Sequence, residues 1–363
     1  METLLVLTVL FLAATNGAND NFKGVATLYG SRRAGYWTSL GWASVTTLAG
    51  SLCSVFLARA LLKAFTGAGM VPADIAGQLP FALAVAGGAG MTVALAAWRG
   101  LPISTTHALV GAMSGVGLMA VGAAVKFGTL GHSFVLPLLA TPVIAVLPAF
   151  LLAPWLRRLT ARADREPECQ CTVNAMQATP DGLLLRTSVP VAFSGTKAEC
   201  ESIGAQRRWR FDARSLVDSL LFLFGGAVSF ARGLNDTPKI AALLLPIVAL
   251  DGSAAALAVG LAMLVGGVLG ARRVARTMSD RITQLDPGGA LAAGLTTSLL
   301  VGTASFSGLP VSTTHVSVGA LAGSGISDGA GVDCSVIAGI ALSWVITIPA
   351  GAMSGALLYL WLG

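Results

Sequence analysis

Two short patterns place chemically capable side chains in the midst of apolar runs of this 363-residue sequence. The first is Gly-x-Asn-Asp-x-x-Lys. It is written as Gly17-Ala18-Asn19-Asp20-Asn21-Phe22-Lys23 and again as Gly233-Leu234-Asn235-Asp236-Thr237-Pro238-Lys239. A carboxylate between apolar segments is costly unless paired, hydrated or liganded, so by default it marks function. Glycine lets the chain leave helical geometry, and Asn and Asp cap a helix that restarts. Capping alone is one reading. Both copies nevertheless keep Asp where a neutral Asn or Ser would cap as well, which favours a ligand-binding role for Asn19, Asp20, Asn235 and Asp236. Lys23 and Lys239 follow their aspartates by three residues, the spacing of an intrahelical ion pair. They either neutralise those aspartates or reach a substrate.

The second pattern is Gly-Leu-Pro-x-Ser-Thr-Thr-His, at Gly100–His107 and at Gly308–His315. Proline disfavours helix in the residue before it, and Ser and Thr then start a new helix. The first N–H groups of that helix lack intrahelical partners and lie at the positive end of its dipole, joined by three hydroxyls. That combination suits an anion, with no fixed counter-charge expected. The substrate-binding set is therefore Ser104, Thr105, Thr106, Ser312, Thr313 and Thr314, with Asp20, Asp236, Lys23 and Lys239 beside it. Back-bonding of hydroxyls within a membrane helix explains one Ser or Thr well and three in succession poorly. His107 and His315 either pass protons or, the favoured reading, are satisfied by a neighbouring carbonyl. His132 carries no signal. Gly111-x-x-x-Gly115 and Gly351-x-x-x-Gly355 read as helix packing.

Asn235 lies 216 positions after Asn19, and Ser312 lies 208 after Ser104. Two motifs in the same order at nearly the same offset are an internal duplication. The elements that carry them are membrane segments. The chain is 55% hydrophobic and only 11% charged, with a mean hydropathy of +0.77, whereas soluble domains carry about a quarter charged residues. Disorder is excluded by the apolar content, and the 44 glycines suit close helix packing in lipid. A net charge of +6 needs no nucleic acid, since cytoplasmic loops of membrane proteins collect Lys and Arg. Candidate apolar segments recur from residues 3–16 to 335–362, about 10–12 in all, where crossing about 30 Å of hydrocarbon takes roughly 20 residues. Several are short or cut by Pro and Gly. They include 216–231 and 239–250 as separate pieces, and such breaks are tolerated only where protein or a cavity satisfies the backbone. Residues 1–14 read as a first membrane segment, not a cleaved leader.

The expected organisation is a first transmembrane repeat over 1–156, a cytoplasmic hydrophilic loop over 157–214 and a second repeat over 215–363. The loop after the first Asn-Asp motif carries Arg32 and Arg33, while its counterpart at 246–252 has no Lys or Arg. The next connection reverses this, with Arg272, Arg273, Arg276 and Arg281 against Arg59 and Lys63. A basic excess that swaps loops between halves indicates opposite orientation. The fold class is thus an all-α polytopic membrane protein with two inverted-topology repeats and broken or re-entrant helices, the build of many secondary transporters. Cys169, Cys171 and Cys200 in the central loop read as free thiols of a reducing compartment rather than a soft-metal site.

Paired Gly-x-Asn-Asp and Gly-x-Pro-x-Ser-Thr-Thr-His motifs, one set per half around a hydrophilic loop, resemble the inorganic phosphate transporter family of sodium- or proton-coupled symporters. The resemblance implies an inverted-repeat transport fold with phosphate held between the two Ser-Thr-Thr helix ends. It implies no cofactor or resident metal, only sodium or a proton as coupling ion. By it Asn19, Asp20, Asn235 and Asp236 carry the cation. Lys23 departs from the small or neutral residue usual in the first motif, and a fixed ammonium there would take a cation's role. Two aspartates and two lysines sum to zero, so a phosphate dianion would call for two monovalent cations. Phosphate is favoured over sulfate, carried by other members, because an aspartate accepts the hydroxyl of monohydrogen phosphate and repels sulfate.

A membrane-embedded hydrolase needs one nucleophile and one base, not the same set twice, so no enzyme is expected. An anion channel would need a continuous polar path. The expectation is a multi-pass carrier of the cell membrane, homodimeric as membrane carriers often are.

Overall fold

The computed structural model describes the chain apart from residues 68, 164–168, 179–180, 182–183, 196–201, 203–205, 210–212, 248–250, 328, 330 and 363. Ten helices carry the architecture, five in each half of the sequence. They are α1 (Glu2–Asp20), α2 (Tyr36–Leu57), α3 (Leu79–Arg99), α4 (Thr105–Val121), α5 (Leu136–Ala163), α6 (Ala213–Ala241), α7 (Gly252–Gly270), α8 (Pro287–Phe306), α9 (Thr313–Ile326) and α10 (Cys334–Leu362). Among the described residues nine helices are long and apolar enough to cross a membrane, and α9, at 14 residues, is the one of the ten that is not. The protein is a multi-pass, helical membrane protein. Its outward faces are apolar, with Leu269, Trp361 and Phe56 among the most exposed side chains, as lipid requires.

Contacts divide the chain into two compact units, Met1–Leu156 with Leu221–Gly363, and Arg157–Leu220. Within the smaller unit a three-stranded antiparallel sheet is built from β1 (Cys169–Ala178), β2 (Leu184–Gly195) and β3 (Gln206–Trp209) in the order β2-β1-β3. Expected only as a hydrophilic loop, this stretch alternates apolar and polar residues, as in Cys171-Thr172-Val173-Asn174, and such alternation pairs as strand. Cys200 lies outside the described residues, as do the side chains of Cys169 and Cys171. Cys53 and Cys334 are free thiols.

In the membrane unit the same helix contact is made twice with the halves exchanged. A Cβ on Gly17 of α1 would land on the Met263 carbonyl of α7, and one on Gly233 of α6 on the Thr47 carbonyl of α2. Likewise a Cβ on Gly266 would strike the Ala14 carbonyl, and one on Gly50 the Phe230 carbonyl. Each residue in these contacts lies 216 positions from its counterpart. Further along, Gly111 and Gly115 of α4 admit the backbone of α10 at Ile348 and Ala352, while Gly319 and Gly323 of α9 admit α5 at Pro142 and Val146. Small residues thus let each half grip the other, the approach expected where lipid offers no hydrophobic drive between helices.

Neither Asn-Asp motif sits at a wide helix break. The first closes α1, after which Asn21–Val25 tightens to a 3-10 turn within a continuous 29-residue span, Glu2–Gly30. The second lies inside α6, so the pieces expected at 216–231 and 239–250 are joined through Pro238 to Ala241 and a 3-10 turn, Ala242–Leu244. The polar side chains of the motif are satisfied by neighbouring elements, and the backbone has no need to open for them.

Helices do break at the second motif. Gly100 and Gly308 both take φ of 73°. Leu101 N–H donates to the Ala96 carbonyl and Leu309 N–H to the Ala304 carbonyl, both at 2.9 Å. This is a Schellman stop, closed by a left-handed glycine. Proline then bars continuation, and Ser104 and Ser312 restart the chain as N-caps, accepting from the His107 and His315 N–H at 3.2 and 3.3 Å. On the exposed connection before α10, Asp333 accepts from the Ser335 hydroxyl and from the Ser335 and Val336 N–H groups. These bonds, the Ser335 hydroxyl first, hold its carboxyl below the usual carboxylate range.

Candidate functional site

All the residues singled out in the two motifs are buried, and the structure brings them into one cluster. Its frame is the pair of extended links before α4 and α9, whose carbonyls cannot be left bare at membrane depth. Asn19 Nδ2 donates to the Leu101 carbonyl at 2.8 Å, and Asn235 Nδ2 to the Val311 carbonyl at 3.2 Å. The Ile103 carbonyl accepts from Thr314 Oγ1 at 2.8 Å, and the Val311 carbonyl from Thr106 Oγ1 at 3.4 Å. Each link is therefore stitched by a hydroxyl from the opposite half.

The lysines follow the same exchange. Lys23 Nζ pairs with Asp20 Oδ1 and donates to Asn19 Oδ1 at 2.7 Å, the Ile103 carbonyl at 2.8 Å and Thr314 Oγ1 at 2.6 Å. Lys239 Nζ pairs with Asp236 Oδ1 at 3.5 Å and donates to the Val311 carbonyl and Thr106 Oγ1, both at 2.8 Å. Each ammonium thus binds its own aspartate, its own half's link and the other half's threonine. The lysines pair with the aspartates, the first of the two alternatives the sequence left open, and they stand at the Ser-Thr-Thr helix ends.

One expectation is corrected. The Ser-Thr-Thr end of α4 does face a fixed counter-charge, because Thr105 Oγ1 donates to Asp20 Oδ2 at 3.2 Å. A carboxylate at a helix N-terminus is stabilised by the dipole, so Asp20 itself gains from the place read as suiting an anion. Thr313 Oγ1 accepts from Asn235 Nδ2 at 3.4 Å. The cap serines lend their oxygens to the backbone and keep their hydroxyl protons for another acceptor.

His107 and His315 sit one turn into α4 and α9 with ring centroids 4.6 Å apart. Nδ1 of His107 is 3.2 Å from the Trp344 carbonyl and Nδ1 of His315 is 2.7 Å from the Leu138 carbonyl. Nδ1 of each ring is satisfied by a carbonyl, of α10 and α5 respectively, as the favoured reading of their sequence has it, while Nε2 of His315 is buried without a partner.

Two participants escaped the sequence reading. Arg232 is fully buried in α6. Its Nη2 donates to Asn16 Oδ1 at 2.6 Å, its Nη1 donates to Asn21 Oδ1 at 3.1 Å, and its Nε lies 3.7 Å from Asp236 Oδ2 without a hydrogen bond. Asn16 in turn donates through Nδ2 to Thr105 Oγ1 at 2.9 Å, Asp20 Oδ2 at 3.1 Å and Asp236 Oδ2 at 3.3 Å. It joins the two carboxylates across the halves. The signal for Arg232 was present, since an arginine four residues before an aspartate in an apolar helix is an intramembrane charge with a partner in reach.

The cluster thus holds two carboxylates, three buried cations and six hydroxyls at two helix starts. Among the described residues no His, Cys, Asp and Glu group is arranged to hold a metal ion. Such a constellation has the charge and the hydrogen-bond donors that a small oxyanion takes.

Comparison with known proteins bears on this arrangement. The sequence profile of the phosphate transporter family matches residues 16–355. A putative phosphate permease of Chlamydia pneumoniae is 27% identical over 74% of this chain and 76% of its own length. A probable low-affinity inorganic phosphate transporter of Mycobacterium tuberculosis is 25% identical over 98% of this chain and 76% of its own. Among solved structures, one described as the sodium-dependent phosphate transporter superposes with a TM-score of 0.76 at 22% identity, covering 99% of this chain and 98% of that one. At that identity the likeness speaks for the fold.

Proposed function

Because this chain belongs to the phosphate transporter family, a family of carriers and not of enzymes, we propose that it takes up inorganic phosphate by cation-coupled symport. Phosphate binds between the Ser104-Thr105-Thr106 and Ser312-Thr313-Thr314 helix ends, and a sodium ion or a proton moves with it. The observation that carries this reading is the reciprocal pairing in which each lysine joins its own aspartate to the other half's threonine.

Phosphate oxygens take hydrogen bonds from the Thr and Ser hydroxyls and first-turn N–H groups, and charge from Lys23, Lys239 and Arg232. The aspartates accept the phosphate hydroxyl. Sulfate has no such proton to offer and meets the carboxylates with repulsion, and a site built to bond a substrate hydroxyl rejects an analogue lacking it by large factors. When phosphate replaces a bond now made between halves, the links are freed and the halves can rock. Asn19, Asp20, Asn235 and Asp236 supply oxygens to a coupling cation. In this reading the two halves, 1–156 and 215–363, are inverted repeats that alternate access. The segment 157–214 lies in the cytoplasm and the chain spans the cell membrane as a homodimer. Sulfate carriage by the same fold is the second reading, since both anions fit a cage of donors.

Labelled phosphate uptake into proteoliposomes, with sodium, proton or no gradient and unlabelled sulfate as competitor, tests the proposal. Gradient-driven uptake that sulfate leaves untouched is expected. Full competition by sulfate transfers the assignment to the second reading. Normal uptake by the Asp20→Asn, Asp236→Asn double variant would remove the site from the reaction.

A further inference from the structure

The surroundings of the two ammonium groups resemble coordination shells more than ion pairs. Lys23 Nζ has four oxygens about it: the Asp20 carboxylate, the Asn19 amide oxygen, the Ile103 carbonyl and the Thr314 hydroxyl, the last three at 2.6–2.8 Å. An ammonium has three N–H donors, so this cradle offers more oxygens than the group can bond singly. Lys239 Nζ is set in the counterpart cradle of Asp236, Val311 and Thr106. Carboxylate, amide, carbonyl and hydroxyl oxygens are the donors that hard cations take. Both cradles draw oxygens from the two halves, as a coupling ion that holds them together would.

Charge leads the same way. Asp20 and Asp236 face Lys23, Lys239 and Arg232, all buried, which leaves the cluster one unit positive. Arg232 Nε carries an unmatched donor beside Asp236. His107 and His315, the titratable groups on the helices packed above, turn Nδ1 away to the Trp344 and Leu138 carbonyls. A dihydrogen phosphate monoanion closes that charge to zero with no further ion. A dianion with one sodium ion closes it as well, whereas a dianion with two, one for each cradle, would leave the cluster at plus one.

We infer that Lys23 and Lys239 are tethered cations that fill the coupling-ion cradles, so that this carrier runs without sodium and imports its proton on the phosphate itself. This rests on the phosphate reading above. No bond is made or broken within the site, and the proton released afterwards passes from a phosphate hydroxyl to water. The dihydrogen form enters the site, and it releases a proton to the cytoplasm according to the pH there. The lysines thereby decide ion specificity, and Arg232 decides which charge state of phosphate the site accepts.

Two measurements on the purified full chain separate the possibilities. In proteoliposomes, wild-type phosphate uptake should rise with an inwardly directed proton gradient and stay unchanged when choline replaces sodium. Uptake that falls severalfold on that replacement overturns the inference. Thermal unfolding in detergent reads the cradles without transport. The wild-type midpoint should be the same in sodium and choline chlorides. Lys23→Ala or Lys239→Ala, which leaves a vacant oxygen cradle, should gain a few degrees in sodium, rising with its concentration. A sodium-specific shift in the wild type overturns the inference, as does its absence in both variants. Should either variant fail to fold, the wild-type comparison still decides. Vesicles that take up no phosphate under any gradient would refute the substrate reading, while the unfolding data judge the lysines separately.

Discussion

The two segments that carry the aspartate–lysine pairs, α1 with the 3-10 turn after it and α6, correspond in what their glycines touch and are unlike in charge at one place. Gly17, Asn19, Asp20 and Lys23 correspond to Gly233, Asn235, Asp236 and Lys239, and their glycines meet corresponding carbonyls of α7 and α2. Asn16, however, corresponds to Arg232. As a result the carboxylates live differently. Asp20 pairs closely with Lys23 and takes the Thr105 hydroxyl. Asp236 is divided among Lys239 at 3.5 Å, Arg232 at 3.7 Å, Asn16 at 3.3 Å and Asn235 at 3.1 Å. A duplicated scaffold has kept its packing symmetric while its electrostatics became lopsided. An anion needs net positive charge from the site, and packing constrains backbone geometry, not charge.

The comparison breaks most sharply at the aspartates. Asp20→Asn and Asp236→Asn should each abolish uptake. In chemical unfolding each should cost about 3–5 kcal/mol, the range for leaving a buried charge without its partner, with Asp236→Asn the worse because two cations lean on it. Equal losses would mean that Arg232 does not depend on Asp236. Arg232→Gln makes the halves electrically alike. It should raise the KM for phosphate by roughly tenfold or more, since bonds to charged groups are worth about 1.5–3 kcal/mol, and shrink the preference for phosphate at acid pH. An unchanged KM would confine Arg232 to structure.

Packing symmetry has its own test. Gly17→Ala and Gly233→Ala each drive a Cβ into a facing carbonyl, and unfolding should show similar losses of about 1–3 kcal/mol for such overpacking. A loss confined to one helix would end the equivalence of the two contacts. The smallest effect belongs to the caps. Ser104→Ala and Ser312→Ala should each cost about 1 kcal/mol and weaken phosphate affinity to a like extent in both halves.

The sequence made the duplication legible because chemistry cannot drift where spacing must hold. Gly-Leu-Pro-x-Ser-Thr-Thr-His reads directly as a helix stop followed by a cap, and that is how Gly100–His107 and Gly308–His315 fold. Arg232 went unread for the converse reason. Its counterpart is Asn16, so a search for repeated residues passes over it. The break expected beside Asp236 is absent because side-chain partners from α1, α2 and the link before α9 satisfy the motif within a continuous helix.

What the amino-acid order alone determined about this protein is therefore local and periodic: apolar spans, where helices stop and restart, and which short patterns recur. Those follow from backbone sterics and hydropathy, which act over a few residues. Only the tertiary structure decided that each lysine crosses to the other half's threonine, that Asn16 bridges two carboxylates 216 positions apart in chain, and that a third cation joins them. Those bonds depend on which helices meet at glycine contacts. Electrostatics in a medium of low dielectric is governed by distance in space, which the order of residues does not contain.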